Sequence, residues 1–261
     1  MQSMSTHREK LYALVVAATE PAGRAWLDAA IAAVSDAAGS AACGETLLHL
    51  FPAARRRLGA ERLAGAGPDI ETTDGTIRLN AWSPGDVGRA ILLLDAIQQG
   101  GGADLVANVY RAGDEAERIS VTRALSLLGN GPGLKPLALQ TGRTNSVAMF
   151  AALALDNPFP SAQYSDHEFN QLVLKFLFMG LPLEPVVGLA ARPNADLSRM
   201  CEDYFEEHTA AGRAVPSDIW LALAPHASEQ GLRLLREHVE HEDAAHRHFA
   251  TRALKDRNAV N

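Results

Sequence analysis

The stretch from Asn157 to Trp220 reads NPFPSAQYSDHEFNQLVLKFLFMGLPLEPVVGLAARPNADLSRMCEDYFEEHTAAGRAVPSDIW. Its middle decides the fold. Ser165 and Glu168 have the spacing of a capping box, in which the hydroxyl caps a first-turn amide and the carboxylate reaches back. Phe169, Leu172, Val173, Phe176 and Leu177 then recur three and four apart, the helical period. A helix is predicted over Asp166 to Met179, with Gly180 past its end and Pro182 forbidding immediate resumption. Asn194 caps the next helix, expected over Ala195 to Ala211 and closed by Gly212.

The same period extends in both directions. Toward the N-terminus, helices are expected over Arg8 to Ala18, Pro21 to Ala38 and Gly44 to Leu58. Ser83, Pro84 and Asp86 open another that runs to Gln99 and breaks at GGG, 100–102. Four more follow at 103–112, 115–128, 134–141 and 145–155, separated by Gly113-Asp114, by GNGPG at 129–133 and by 142–144. Toward the C-terminus, one begins near Trp220, and two charged ones span 228–239 and 241–256. The connection 65–82 holds GAGP, Asp74-Gly75 and one short strand at Thr76-Ile77-Arg78-Leu79.

Strict alternation is missing elsewhere, so the fold class is all-α. Paired short helices at a spacing of roughly 30 residues point to an α-α superhelix, a HEAT-like helical array, although no stretch repeats another in letters. An irregular helical bundle is the alternative. Residues 1–64 form N-terminal helices and 83–261 a helical array, read together as one continuous domain.

Composition narrows the function. The 261 residues are 47% hydrophobic and 21% charged, with a formal net charge of −7. That excess of acid opposes broad nucleic-acid binding, which needs phosphate-neutralising Lys and Arg. Cys43 and Cys201 form no framework, so two free thiols in a reducing, cytoplasmic setting are expected. The apolar run Val147 to Leu155 is far below the about 20 residues that span a bilayer; peripheral membrane contact stays open. Arg55, Arg56 and Arg57 close a helix, where the macrodipole favours cations, and this is taken over a phosphate patch. No GxSxG, Walker loop or GxGxxG after a strand is present, and no cofactor is expected.

Polar residues inside apolar helices are the candidate contacts. Gln171 and Lys175 stand four apart on one face, with Asn170 beside them. They either contact a ligand or partner, or form a structural network serving the proline-containing loop 157–164. Arg192 beside the helix start at Asn194 could hold an anion; a cap and an ion pair explain the same residues. Tyr204 fits a core position with its hydroxyl bonded. In the tail, His238, His241, Glu242 and His246 have helical spacings that invite a metal. They lack the HExxH pattern, and a solvated charged helix is the preferred reading.

Asn157-Pro158-Phe159-Pro160, then Phe169-Asn170-Gln171-Leu172-Val173-Leu174-Lys175 and Phe178-Met179-Gly180, resemble the EboA family of metabolite-traffic proteins. So do Gly188-Leu189, Arg192, Asn194, Leu197, Arg199, Asp203-Tyr204 and Gly212-Arg213 before Pro216 and Trp220. Phe169 stands where the family pattern has tryptophan, Ala190-Ala191 replaces a pair containing Asp, and Glu206-Glu207-His208 differs from a basic and aromatic run. The resemblance implies a non-catalytic part in moving or processing a secondary-metabolite precursor. It also implies partners encoded alongside, among them a UbiA-type prenyltransferase. Two mechanisms are carried forward: an adaptor that docks partner enzymes, and a carrier of a small apolar metabolite. An unrecognised metal-dependent enzyme is the third. Residues and resemblance together give the contact set Asn157, Asn170, Gln171, Lys175, Arg192, Asn194, Asp203 and Tyr204.

Overall fold

The computed structural model describes residues 2–37, 39–63 and 69–260. It is all-α apart from one hairpin. The helices are α1 Gln2–Ala18, α2 Pro21–Asp36, α3 Ser40–Leu58, α4 Pro84–Gln98, α5 Ala103–Ala112, α6 Glu115–Ala124, α7 Gly131–Gly142, α8 Val147–Ala154, α9 Phe159–Gln163, α10 Asp166–Phe178, α11 Ala195–Ala210, α12 Trp220–Leu223, α13 Glu229–His238 and α14 Ala244–Val260. Short 3-10 turns occupy Leu125–Leu127, Ser217–Ile219 and Ala224–His226. No helix among the described residues is long and apolar enough to cross a membrane.

The chain divides into two compact units, Met1–Gln163 and Tyr164–Asn261. In the first, α4 is the buried axis: every residue from Pro84 to Ala96 is buried. An all-round apolar helix needs neighbours on every side, and α1, α2, α3 and α6 supply them. Close approach is set by glycine. A Cβ on Gly85 would sit 2.7 Å from the Arg55 Cα, so α3 and α4 meet there at backbone distance. Beyond α4 the helices pack pair upon pair: α3 and α4 on α5 and α6 respectively, then α5 and α6 on α7 and α8.

A buried ionic network joins these layers. Arg89, 2% exposed, donates to the carbonyls of Phe51 (3.0 Å) and Ala116 (3.2 Å) and to Ser120 Oγ (3.1 Å). Its guanidinium lies 3.6 Å from Glu117. The Ser120 hydroxyl donates to Asp86 at 2.6 Å, and Arg123 reaches the other Asp86 oxygen at 2.8 Å. Asp86 and Glu117 are also the third-position carboxylates of the capping boxes of α4 and α6. Sequence-local caps are thereby tied into tertiary structure.

Differences from the sequence reading are local. The connection folds as an antiparallel hairpin, Ile70–Thr72 on Gly75–Ile77, because Asp74-Gly75 makes a tight turn with Gly75 at φ 129°; one strand had been expected. The GAGP turn at 65–68 and the expected end of the second helix at Ala38 lie outside the described residues. Helix α7 starts at Gly131, inside GNGPG, since Asn130 accepts from the Gly133 amide and Pro132 suits the first turn. The loop 157–164 contains the short α9.

In the second unit, α10 packs on α11, α11 on α12 and the turn Ala224–His226, and α14 on α12, α13 and both 3-10 turns. The capping box of Ser165 and Glu168 forms as the spacing predicts. Buried Asp218 accepts from the Leu183 amide at 2.6 Å. It thereby anchors the irregular segment 180–193 to the turn Ser217–Ile219.

Candidate functional site

The second unit encloses a cavity of about 700 Å³. Its walls come from three remote pieces of sequence: the segment 184–195, the turn and helix around 220–227, and α14 from Arg252 to Arg257. Val186, Leu189 and Leu221 provide the larger apolar side chains, Trp220 lies behind them, and Ala190, Ala191, Ala195, Ala224, Ala227 and Ala253 fill in between. Gly188, at φ 88°, sits where few L side chains are tolerated. Its carbonyl accepts from the amides of Ala191 (3.0 Å) and Arg192 (2.9 Å), which folds the wall segment into a compact turn. Trp220 is fully buried, and its indole N–H has no hydrogen-bond partner.

Charge at the cavity is paired within the wall. Arg252 Nη1 lies 2.5 Å from Glu184 and its Nε 3.9 Å from Asp256. Arg257 Nη1 donates to the carbonyls of Ala224 (2.6 Å) and Pro225 (2.8 Å).

None of the eight contact residues expected from the sequence lines this cavity, although Ala191, Pro193 and Ala195 flank two of them. Asn157 belongs to the first unit. There its side chain donates to the carbonyls of Thr122 (3.1 Å) and Ala152 (3.0 Å) and accepts from the Phe159 amide (3.1 Å). Replacing Asn157 with alanine is expected to cost about 1–3 kcal/mol, as buried backbone groups lose their partner. Chemical denaturation of the variant measures it.

The other seven lie in the second unit. Asn170 and Asn194 exchange two amide hydrogen bonds, 2.9 and 3.0 Å, while Asn194 Oδ1 also caps α11 through the Leu197 amide. Gln171 is exposed and Lys175 half-buried; desolvation pulls the Lys175 ammonium below its ordinary pKa. The three residues thus divide, because Asn170 faces α11 and its neighbour Gln171 faces away. Arg192 bonds Asp166 at 2.5 Å and lies 4.8 Å over the Phe169 ring. Asp203 pairs with Arg199 at 3.1 Å on the helix surface. Tyr204 donates to the Leu177 carbonyl at 3.3 Å, stacks on His208 at 3.9 Å and meets the edge of Phe178 at 5.1 Å. Phe178 itself is 65% exposed.

The tail histidines converge. The His238, His241 and His246 ring centroids lie 4.7 to 5.5 Å apart, and His238 also packs on Trp220 at 4.7 Å and Phe205 at 5.3 Å. These rings are half-buried on otherwise largely exposed helices, and His238 packs onto the aromatic core. His238 Nδ1–H donates to the Leu234 carbonyl, and His246 Nε2–H to that of Val215. His241 Nδ1 accepts from the Asp243 amide, so its proton is on Nε2. That nitrogen offers no lone pair to a metal in this tautomer. Glu242 is exposed, and its carbonyl accepts from Arg247. Among the described residues no group of three or more His, Cys, Asp or Glu is arranged to hold a metal ion.

Burial and the neighbouring imidazoles hold His238 and His246 below the ordinary 6.5. The unfolded chain therefore takes up protons first as pH falls. Stability is unaffected above about pH 6.5 and declines from there down to the depressed folded values. Glu237, Asp243 and Asp218 face the cluster and moderate the effect. Melting temperature is expected to fall between pH 7 and 5, and less so in His246→Gln; equal slopes would remove the cluster as the cause.

A smaller cleft of about 300 Å³ in the first unit gathers Arg111, Arg118 and Arg143. Arg118 caps the end of α5 through the Tyr110 and Arg111 carbonyls, both at 3.1 Å. Arg111 and Arg143 stand at the ends of α5 and α7, where cations are favoured. Cys43 and Cys201 are buried free thiols. Burial pushes Cys201 up to about 12, far from a reactive thiolate.

A helical protein with a small-molecule-sized, mostly apolar cavity is the class these features define. The family model for Metabolite traffic protein EboA matches residues 7–224, and the chain belongs to that family. Neither the curated proteins nor the solved structures compared with it give a match. The family match runs far N-terminal of the stretch that carried the resemblance, and the cavity's α14 wall lies beyond its end.

Proposed function

We propose that this chain takes part in metabolite traffic as a carrier that holds a small apolar molecule in the cavity of its second unit. The supporting observation is the cavity itself. At about 700 Å³ it falls in the size range of sites for drug-sized ligands, about 300–1,000 Å³, which are mostly apolar with a few polar groups. Nile red, an uncharged dye whose emission rises in apolar surroundings, tests it. One dye per chain is expected to bind. Ala191→Phe at the rim and Ala253→Leu on α14 are each expected to weaken binding at least tenfold with little change in melting temperature. Unchanged dye binding in both variants would dismiss the carrier.

The adaptor is the second reading, favoured by the exposed ring of Phe178 with Tyr204 and His208 against it. Exposed aromatic groups of this kind anchor protein contacts. A UbiA-type prenyltransferase encoded alongside is the partner to try. Phe178→Ala is expected to abolish its co-purification while dye binding is retained. Both readings place the protein in the cytoplasm, the adaptor with peripheral membrane contact. The pair-upon-pair packing of α3 to α8 supports the α-α superhelix as the frame of the first unit.

A further inference from the structure

The charged groups of the cavity say which ligands it accepts. Two arginines and two carboxylates line it, with His226 beside them. Glu184 and Asp256 flank Arg252, and Arg257 closes the carbonyl end of the turn Ala224–His226. A phosphate or carboxylate on the ligand would compete with Glu184 and Asp256 for Arg252, and with two carbonyls for Arg257. A ligand cation would meet carboxylates already facing Arg252. The remaining wall is aliphatic and alanine surface.

We infer that the cavity selects an uncharged, mainly apolar molecule and rejects the phosphorylated or carboxylated form of the same skeleton. This rests on the carrier reading and specifies its ligand class. A terpenoid alcohol or a phenol fits it; a prenyl diphosphate does not. In a traffic system the molecule would therefore arrive after the step that removes its anionic group.

Two matched pairs of probes test this by calorimetry: farnesol against farnesyl diphosphate, and 1-naphthol against 1-naphthyl phosphate. At least one uncharged member is expected to bind at least tenfold tighter than its anionic counterpart. The double variant Glu184→Gln, Asp256→Asn leaves Arg252 without its carboxylates. Both positions are exposed, so folding should be retained, which a melting curve verifies. In this variant the anionic member is expected to gain tenfold or more relative to the uncharged one. Equal or tighter binding of the anionic member to the unsubstituted protein would overturn the charge selection and leave the carrier standing. An unchanged preference in the double variant would also overturn it. Binding of neither pair would take away the carrier reading and this inference with it.

Discussion

Arg89→Ala is expected to lower the folding stability of the first unit by about 3–5 kcal/mol, the range for removing one partner of a buried ion pair. Arg89 is the hub of a network in which Asp86, Glu117, Ser120 and Arg123 are joined within hydrogen-bond or ion-pair distance. Its loss leaves Glu117 without its cation and the Phe51 carbonyl without its donor. It also loosens two capping boxes at once, because Asp86 and Glu117 belong to them. Burial draws the Arg89 pKa down while Glu117 and Asp86 raise it, so the carboxylates are what make a charged group tolerable there. Urea unfolding followed by the buried Trp82 reports on this unit. A loss below about 1 kcal/mol would mean that water relieves the site. A group of charges this dense could pass for an active centre, yet its members are turned toward one another and toward helix ends.

The second large effect is expected at Trp220. Truncation to alanine should cost about 3–5 kcal/mol, the usual range for a buried aromatic side chain. The ring is 0% exposed and packs on Phe205 at 5.4 Å and His238 at 4.7 Å. It also lines the cavity, so Trp220→Ala should merge packing loss with an enlarged, less selective site. Trp220→Phe separates the two. It keeps aromatic contact and removes an N–H that has no protein partner, so its stability cost should be clearly smaller. Equal costs for the two variants, measured by denaturation, would contradict the packing account.

Local chemistry made much of the helical frame legible. Capping residues such as Ser83, Ser165 and Asn194 act within three residues of themselves, so their spacing alone announces helix starts. The hairpin and α9 were harder: each is short, and tertiary surroundings decide whether so few residues order. The cavity left almost no signal. Its alanines have no distinctive chemistry, and Glu184 meets Arg252 across 68 positions. Conversely, Asn170 stood out as a polar residue in an apolar helix, and Arg192 as a cation beside a helix start. The structure engages them with Asn194 and Asp166, and no spacing rule connects those pairs. The histidines were legible in part. Their letters resemble a solvated helix, and the helices are largely exposed, but His238 packs onto Trp220 and Phe205 at the end of α13.

The central claim is that the second unit carries an uncharged small molecule. Native mass spectrometry of the protein purified from its own host tests it most directly, beside the Ala191→Phe and Ala253→Leu variants prepared in the same way. The account predicts one uncharged organic compound per chain, present in the unsubstituted protein and depleted in both variants. Protein that emerges without any bound compound, or with equal amounts in all three preparations, would contradict it.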